Sequence, residues 1–308
     1  MRNTTFILLL ILVAGAVFGI ARLINNAYVF FAGYVVLQYV VLATAWNILG
    51  GYTGYVNFGI AAFFAMGAYT TVVLHKIAPM PLPLMMLIGG GVSGVIGLGT
   101  GYLTLRLRGT YFAIATLAMA VVVQTLITNW SFVGGSRGAY IVRPAEAPFF
   151  AGDYIQYLFL VMLGLSVISV AIARAIEHSR LGYGFAAIRD DEGAAEASGV
   201  PTLRLKLIAT ALSGGFMGMA GAPLPYYVTY LDPASGFSLS YAVNTIAMPL
   251  IGGTESWFGP IIGAVLLGTL QQVATVTISS ALSLLIVGLL LVAFVIAAPK
   301  GILGWFKR

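Results

Sequence analysis

Long apolar runs separated by short polar stretches recur along the whole chain, and they restrict its fold more than any other feature. Several runs reach the ~20 residues that cross a hydrocarbon core as a helix. Only 8% of the residues are charged, whereas a soluble domain carries about 25%. The pattern predicts an all-α, polytopic helical membrane protein and excludes a water-soluble enzyme. A membrane β-barrel is excluded too, because its strands alternate apolar and polar residues.

The apolar runs predict about ten spans across the membrane. These are residues 5–24, 28–49, 57–77, 83–105, 110–130, 155–176, 206–229, 239–253, 258–278 and 280–298. The eighth is short and contains Asn244 and Pro249, so a broken or re-entrant span is an alternative to a full crossing. A signal peptide would resemble the first run, but we predict a retained span because the following chain is itself apolar.

The distribution of lysine and arginine predicts the orientation of these spans. Alternate loops collect eleven of the fifteen basic residues on one side of the membrane. The four on the other side are Arg22, Lys76, Arg137 and Arg143. Because basic loops stay inside, the first side and both termini are predicted to be cytoplasmic. We attribute the net charge of +6 to these loops and not to nucleic-acid binding.

Motifs for covalent chemistry and nucleotide binding are missing from the sequence. It contains no P-loop, no H-E-x-x-H zinc motif and no G-x-S-x-G nucleophile motif. It also lacks cysteine. No carboxylate lies in the middle of a predicted span, which disfavours a proton-coupled carrier. We therefore predict a protein that is not an enzyme and has no cofactor or metal of its own.

Residues 189–199 concentrate negative charge, since they contain four of the nine acidic residues. Carboxylates at the start and Gly199 at the end predict a helix of about two turns, which is too short to be stable without packing. Its alanines would offer a small-residue surface to a partner. Arg189 is expected to pair with Glu192, whereas Glu192 and Glu196 repel, which favours an external basic partner. A solvated loop is the alternative.

Five glycine pairs spaced four apart predict close helix packing, because small residues let helix backbones approach in lipid. The pairs are Gly50 and Gly54, Gly90 and Gly94, Gly97 and Gly101, Gly214 and Gly218, and Gly259 and Gly263. Five such pairs indicate a tightly packed bundle.

The acidic segment resembles the coupling motif, often termed the EAA loop, of ABC importer permeases. The chain as a whole resembles the branched-chain amino acid permease family, LivM branch. Matching stretches follow in order through nearly all of the chain after the first span. They are residues 47–54, 61–69, 107–117, 134–138, 179–206 and 251–263.

This resemblance implies one ABC importer transmembrane domain over residues 1–308, with a cytoplasmic coupling loop at about 177–205. The chain would import branched-chain amino acids or related small hydrophilic solutes through the inner (plasma) membrane. Its implied partners are a homologous LivH-like permease subunit, two cytoplasmic ATPase subunits that use ATP, a periplasmic solute-binding protein and membrane lipid. The residues implied to contact the ATPase are Arg189, Asp191, Glu192, Ala194, Ala195, Glu196 and Gly199.

Two further regions are candidate sites. Tyr52, Thr53, Tyr55 and Asn57 are predicted to line or gate the solute path, because the neighbouring glycines indicate irregular backbone, which at membrane depth must be buried or line a watery cavity. A plain turn is the alternative. In the loop 131–153, Arg137 is predicted to contact a receptor or solute carboxylate through paired hydrogen bonds, and a lid or spacer is the alternative.

A stand-alone secondary transporter or channel is the rival function. The family usually has glutamine, serine and histidine where this chain has Tyr55, Asn57 and Ile60, which leaves the solute open. Sequence does not distinguish a homodimer from a heterodimer of permease subunits.

Overall fold

The structure is a computed structural model that describes residues 3–24, 26–148, 152–277 and 301–306, together with residues 285, 288–289 and 292–293. The described parts form a helical bundle. Its helices are α1 Asn3–Ile24, α2 Ala27–Leu49, α3 Ile60–Ile77, α4 Leu82–Thr104, α5 Thr110–Thr128, α6 Tyr154–Glu177, α7 Arg180–Asp190, α8 Glu192–Ala197, α9 Thr202–Gly221, α10 Leu224–Val228, α11 Pro233–Gly236, α12 Leu239–Gly252, α13 Gly259–Thr277 and α14 Gly301–Phe306.

Within these described residues, eight helical stretches are long and apolar enough to cross a membrane, with α9 and α10 taken as one. They correspond to the predicted spans except the eighth and the tenth. The predicted tenth span, 280–298, lies outside the described residues apart from single positions. The polytopic helical class is therefore confirmed, whereas the number of spans and the side of the termini stay predictions.

The long helices run between two ends of the bundle. The α7–α8 end contains these two short helices together with residues 50–59, 105–109 and 253–258. The other end, here the β-ladder end, contains strands β1 (Ala139–Tyr140) and β2 (Tyr230–Leu231). The basic residues predict that the α7–α8 end is cytoplasmic.

Helix α9 is the centre of the bundle, and glycines let α3 and α4 approach it closely. A Cβ added at Gly97 of α4 would lie 3.0 Å from the carbonyl oxygen of Thr210 on α9. A Cβ at Gly67 of α3 would collide with the backbone of Gly218. The paired glycines of α4 and α9 thus pack as their spacing predicts. The pair Gly50 and Gly54 does not, since it lies outside helices in residues 50–59.

The predicted eighth span corresponds to one continuous but short helix, α12. Helix α12 has 14 residues and Pro249 inside it, so at ~1.5 Å per residue it spans about 21 Å, less than the ~30 Å hydrocarbon core. The short helix α11 and the non-helical residues Phe237 and Ser238 precede it. The backbone N–H groups of Phe237 and Ser238 donate to Pro233 and Ser235 in this turn between α11 and α12.

The two short strands at the β-ladder end were not expected from the sequence. Ala139 pairs with Leu231 and Tyr140 with Tyr230 in an antiparallel ladder. Backbone N–H and C=O groups of loops need partners where the loops pack together, and the ladder supplies them between two connections that are distant in sequence.

Candidate functional site

Helix α8 is the short acidic helix that the sequence predicts. Asp191 is its N-cap, and the Oδ1 atom of Asp191 accepts a hydrogen bond from the backbone N–H of Ala194 at 3.0 Å. The chain leaves the helix through Gly199, whose φ of +83° favours glycine. Sequence reasoning missed helix α7, which precedes α8 and has eleven residues. The acidic segment and the residues before it thus form a pair of short helices separated by Asp191.

Only one side of α8 is exposed, because the other side packs on α7 and α9. The exposed residues of this region are Arg189, Asp190, Asp191, Gly193, Ala194, Glu196, Ala197, Ser198 and Gly199. Ala195 is only 5% exposed. This corrects the expectation that the alanines form one surface for a partner, since the small side chain of Ala195 fits against the rest of this chain.

The carboxylate of Glu192 is bound within the protein. The Nζ atom of Lys206 lies 2.6 Å from its Oε1 atom, and the Nε atom of Arg108 lies 3.4 Å from its Oε2 atom. The expected pairing of Glu192 with Arg189 is wrong. The Nε atom of Arg189 lies 3.5 Å from the Oδ1 atom of Asp190 instead, because the break between α7 and α8 separates Arg189 from Glu192.

Lys206, in the second turn of α9, is only 3% exposed. Its ammonium group donates to the carboxylate of Glu192 at 2.6 Å, to the hydroxyl of Tyr55 at 3.1 Å and to the carbonyl oxygen of Leu105 at 3.2 Å. A lysine has three N–H donors, so all are satisfied. We call Lys206, Glu192, Tyr55, Arg108 and the Leu105 carbonyl the Lys206 cluster.

The charges of the Lys206 cluster set its protonation. Burial alone would raise the pKa of Glu192, but hydrogen bonds from Lys206 and Tyr55 and the charges of Lys206 and Arg108 outweigh burial and lower it. Burial, followed by the adjacent carboxylate of Glu192, raises the pKa of Tyr55. At neutral pH the Tyr55 phenol is therefore protonated, and its O–H group donates a hydrogen bond to the ionised carboxylate of Glu192.

A second carboxylate binds the same irregular segment. The hydroxyl of Tyr52 donates to the Oε2 atom of Glu177 at 3.3 Å, and that atom also accepts from the backbone N–H of Trp257 at 2.6 Å. Thr53 donates to the carbonyl oxygen of Leu49 at 2.6 Å. Residues 50–59 thus contact the end of α6 through Tyr52 and contact α8 through Tyr55.

The four predicted pathway residues, Tyr52, Thr53, Tyr55 and Asn57, are all buried. The side-chain Oδ1 atom of Asn57 accepts a hydrogen bond from the backbone N–H of Gly59 at 2.7 Å. The backbone carbonyl oxygen of Asn57 accepts one from the indole N–H of Trp46 at 2.9 Å. Asn57 also lines a cavity of about 10 Å³ beside Thr116 and Thr210, room for about one water molecule. The structure brings the four residues together in the protein interior.

A larger cleft lies beside the turn between α11 and α12. Its volume is about 370 Å³, and its polar lining comes from Gln38, Tyr39, Tyr227, Ser235, Ser238, Ser240 and Tyr241. None of these side chains carries a formal charge at neutral pH. Non-helical backbone at membrane depth is tolerated where it is buried in protein or lines a water-filled cavity. The cleft thus presents neutral hydrogen-bonding groups beside non-helical backbone.

Arg137 lies in a glycine-rich turn at the β-ladder end. Gly134 and Gly138 have φ values of +97° and +74°, and the carbonyl oxygen of Arg137 accepts from the hydroxyl of Tyr230 at 2.9 Å. The Arg137 side chain is exposed beside an open pocket of about 560 Å³. The turn thus fixes the backbone of Arg137 and presents its guanidinium outward.

The sequence reasoning did not single out Lys206 and Glu177. Lys206 had a signal that could have been used, because it begins an apolar predicted span and not a polar loop. Among the described residues, no group of three histidine, aspartate or glutamate side chains could hold a metal ion.

A buried ion pair, Lys206 with Glu192, thus joins the short surface helix α8 to the central helix α9. The chain belongs to the family described as "Branched-chain amino acid transport system / permease component", whose model matches residues 27–295. This is a family of transport permeases and not of enzymes.

Individual relatives agree with this family. The high-affinity branched-chain amino acid transport system permease protein LivM of Escherichia coli K12 is 29% identical over 289 residues, covering 86% of this chain and 67% of LivM. The probable LivH protein of Methanocaldococcus jannaschii is 24% identical and covers 82% of this chain and 84% of its own length. The L-arabinose ABC transporter permease protein AraH of Azospirillum brasilense is 25% identical, with coverages of 71% and 64%. No solved structure matches the chain.

Proposed function

We propose that this chain is the transmembrane permease subunit of an ABC importer that moves branched-chain amino acids or related small hydrophilic solutes into the cytoplasm. The observation that carries the proposal is the position of α8. Its outer side is exposed, while Glu192 on its inner side binds Lys206 on the central helix. A soluble subunit that moves α8 would thereby act on the membrane helices, and ATP would be hydrolysed in that separate subunit.

The proposed complex contains a homologous LivH-like permease subunit, two cytoplasmic ABC ATPase subunits and a periplasmic solute-binding protein, in the inner membrane. LivM and LivH proteins are both similar to this chain, which supports a pair of related permeases. The missing P-loop supports a separate ATPase. A homodimer of this chain is the alternative to the pair.

The proposed ATPase contact is the exposed side of α8 with the adjacent end of α7. Arg189, Asp191, Ala194, Glu196 and Gly199 would contact the ATPase directly. Among the predicted contact residues, Glu192 and Ala195 would support this surface from inside.

Two tryptophan variants test this contact. Ala194→Trp is expected to abolish co-purification of the ATPase while the permease inserts at its normal yield, because Ala194 is exposed. Ala195→Trp is the matched comparison and is expected to lower the yield of the permease itself, because Ala195 is buried. Normal ATPase binding by Ala194→Trp would contradict the proposed surface.

The proposed solute path runs from the cleft beside the turn between α11 and α12 to residues 50–59, where Tyr52, Thr53, Tyr55 and Asn57 would form a gate. The chain has no native cysteine, so single cysteines can be placed at Ser238 and Asn57 and labelled with a soluble thiol reagent. We expect labelling that changes with solute and ATP. Gly91→Cys is the control away from the proposed path, since a Cβ at Gly91 on α4 would contact no other described part of the protein. Labelling at both sites that ignores solute and ATP would contradict this path.

Arg137 is proposed to contact the solute-binding protein at the β-ladder end, which is the predicted outer side. The fixed turn and the exposed guanidinium support a contact with a receptor carboxylate. Loops of this size also tolerate charge, and a lid is the alternative.

The rival function is a stand-alone secondary transporter or channel. Reconstitution of the chain with and without its ATPase and ATP distinguishes the two. Uptake that requires ATP hydrolysis is expected, and uptake driven by an ion gradient without any ATPase would refute the importer.

A further inference from the structure

The structure assigns to Lys206 a role as the positioning residue that makes α8 and the membrane helices move as one unit. This inference rests on the proposed importer function, and it adds the side chain through which motion would pass. Lys206 contacts Glu192 at the start of α8, Tyr55 in residues 50–59 and the Leu105 carbonyl at the end of α4. One ammonium group therefore joins four separate parts of the chain.

Contacts beyond the ammonium group strengthen this junction. The Nζ atom of Lys206 lies 4.7 Å from the centre of the Tyr55 ring, which favours a cation over its face. The same ring packs edge-on against Phe112 of α5 at 5.1 Å. Movement of α8 relative to α9 would therefore disturb several elements at once.

Burial of the Lys206 cluster is the reason that we expect α8 and α9 to move together. The side chain of Lys206 is 4% exposed and that of Glu192 is 11% exposed. Separating such a pair leaves each charge poorly solvated, which is far costlier than keeping the two together. Conformations in which α8 moves without α9 are therefore disfavoured, and a push on the exposed side of α8 reaches α9.

Helix α9 connects the Lys206 cluster with the cleft. One turn beyond Lys206, Thr210 is in close contact with Gly97 of α4, and Gly218 further along is in close contact with Gly67 of α3. The chain then continues into α10, whose Leu224 and Tyr227 line the cleft. Lys206 thus lies at one end of a closely packed helix, and the residues proposed to meet the solute follow its other end.

The test uses the complete complex of both permeases, the ATPases and the receptor in proteoliposomes, with leucine as the probe. Two quantities are measured, leucine transported per ATP hydrolysed and the stimulation of ATP hydrolysis by loaded receptor. Lys206→Met is expected to lower both by about tenfold, within the ~5–150-fold range of coupling between sites, while basal hydrolysis stays within about twofold. Arg204→Met is the control, because Arg204 is an exposed cation two residues away on the same helix.

Two results would overturn the inference. One is a Lys206→Met complex in which the leucine transported per ATP hydrolysed, and the stimulation of ATP hydrolysis by loaded receptor, equal those of the wild type. The other is a proportional loss of transport and basal hydrolysis, which would mean that Lys206 only maintains the amount of folded protein. Failure of the wild-type chain to bind an ATPase would be different, since it would refute the proposed importer itself.

Two further variants test the role of Lys206 if the Lys206→Met complex does not assemble. The double variant Lys206→Met/Glu192→Gln removes both charges and leaves neither one buried alone. Tyr55→Phe keeps the ring and removes only the hydroxyl shared by Lys206 and Glu192. Both are expected to assemble with a lowered ratio of leucine transported to ATP hydrolysed, and a wild-type ratio in the double variant contradicts the role of Lys206.

Discussion

The two ends of the bundle are held together by different kinds of interaction. At the α7–α8 end, two carboxylates, Glu177 and Glu192, bind tyrosine hydroxyls and other groups from distant parts of the chain. At the β-ladder end, the backbone pairing of β1 with β2 joins two connections that are distant in sequence.

This difference indicates different tasks for the two ends. Buried charged side chains resist separation, so the α7–α8 end is suited to passing a displacement from a surface helix into the bundle. A turn made by backbone leaves its side chains free to face outward, as Arg137 does. We therefore propose that the β-ladder end meets a partner through exposed side chains such as Arg137.

The largest expected effect concerns two cations that share one carboxylate. Lys206→Met removes the buried partner of Glu192 and is expected to lower the free energy of unfolding by about 3–5 kcal/mol. Arg108→Met removes the other partner, whose side chain is 65% exposed, and is expected to cost about 0–1 kcal/mol. Thermal unfolding of both variants in detergent gives the measurement. Equal losses would show that burial does not distinguish the two contacts.

The next effect tests the backbone at the β-ladder end. Gly134→Ala adds a side chain at a φ of +97°, and its Cβ would collide with the carbonyl of Gly138. The strain and the clash together are expected to cost about 2–4 kcal/mol. Gly199→Ala has a similar φ of +83° but open space around it, so about 1–2 kcal/mol is expected. Equal melting temperatures for these variants would contradict the tight turn.

A smaller effect is expected in the pH dependence of stability that Glu192 contributes at the α7–α8 end. The pKa of Glu192 is lower in the folded protein than its ordinary value of 4.5, so its contribution to stability is complete at neutral pH. That contribution is lost as the pH falls through the lowered pKa, below 4.5. Unfolding curves of the wild type and Glu192→Gln should therefore converge on acidification. Curves that stay parallel down to the acid range would contradict the pairing.

The smallest effect on stability is expected for Arg137→Ala, because the side chain is exposed and a change within about 0.5 kcal/mol is typical there. Transport should nevertheless fall, with the basal ATP hydrolysis of the assembled complex unchanged. Measuring transport across receptor concentrations checks the proposed contact. Normal transport at every receptor concentration would leave the loop as a lid or spacer.

Features that depend on local sequence were predictable from the chain itself. Apolar runs of membrane length predicted the long helices, since each such helix satisfies its own backbone. Asp191 and Gly199 mark the start and end of α8 in the structure as they do in the sequence.

Contacts between distant residues were decided only by the tertiary structure. Tyr55 and Lys206 are 151 positions apart, and no local pattern indicates that a lysine at the start of an apolar run binds a tyrosine in an earlier loop. The prediction that Arg189 pairs with Glu192 failed for the same reason. A spacing of three residues places two side chains together only on one continuous helix, and the chain turns at Asp191 so that Glu192 faces α9.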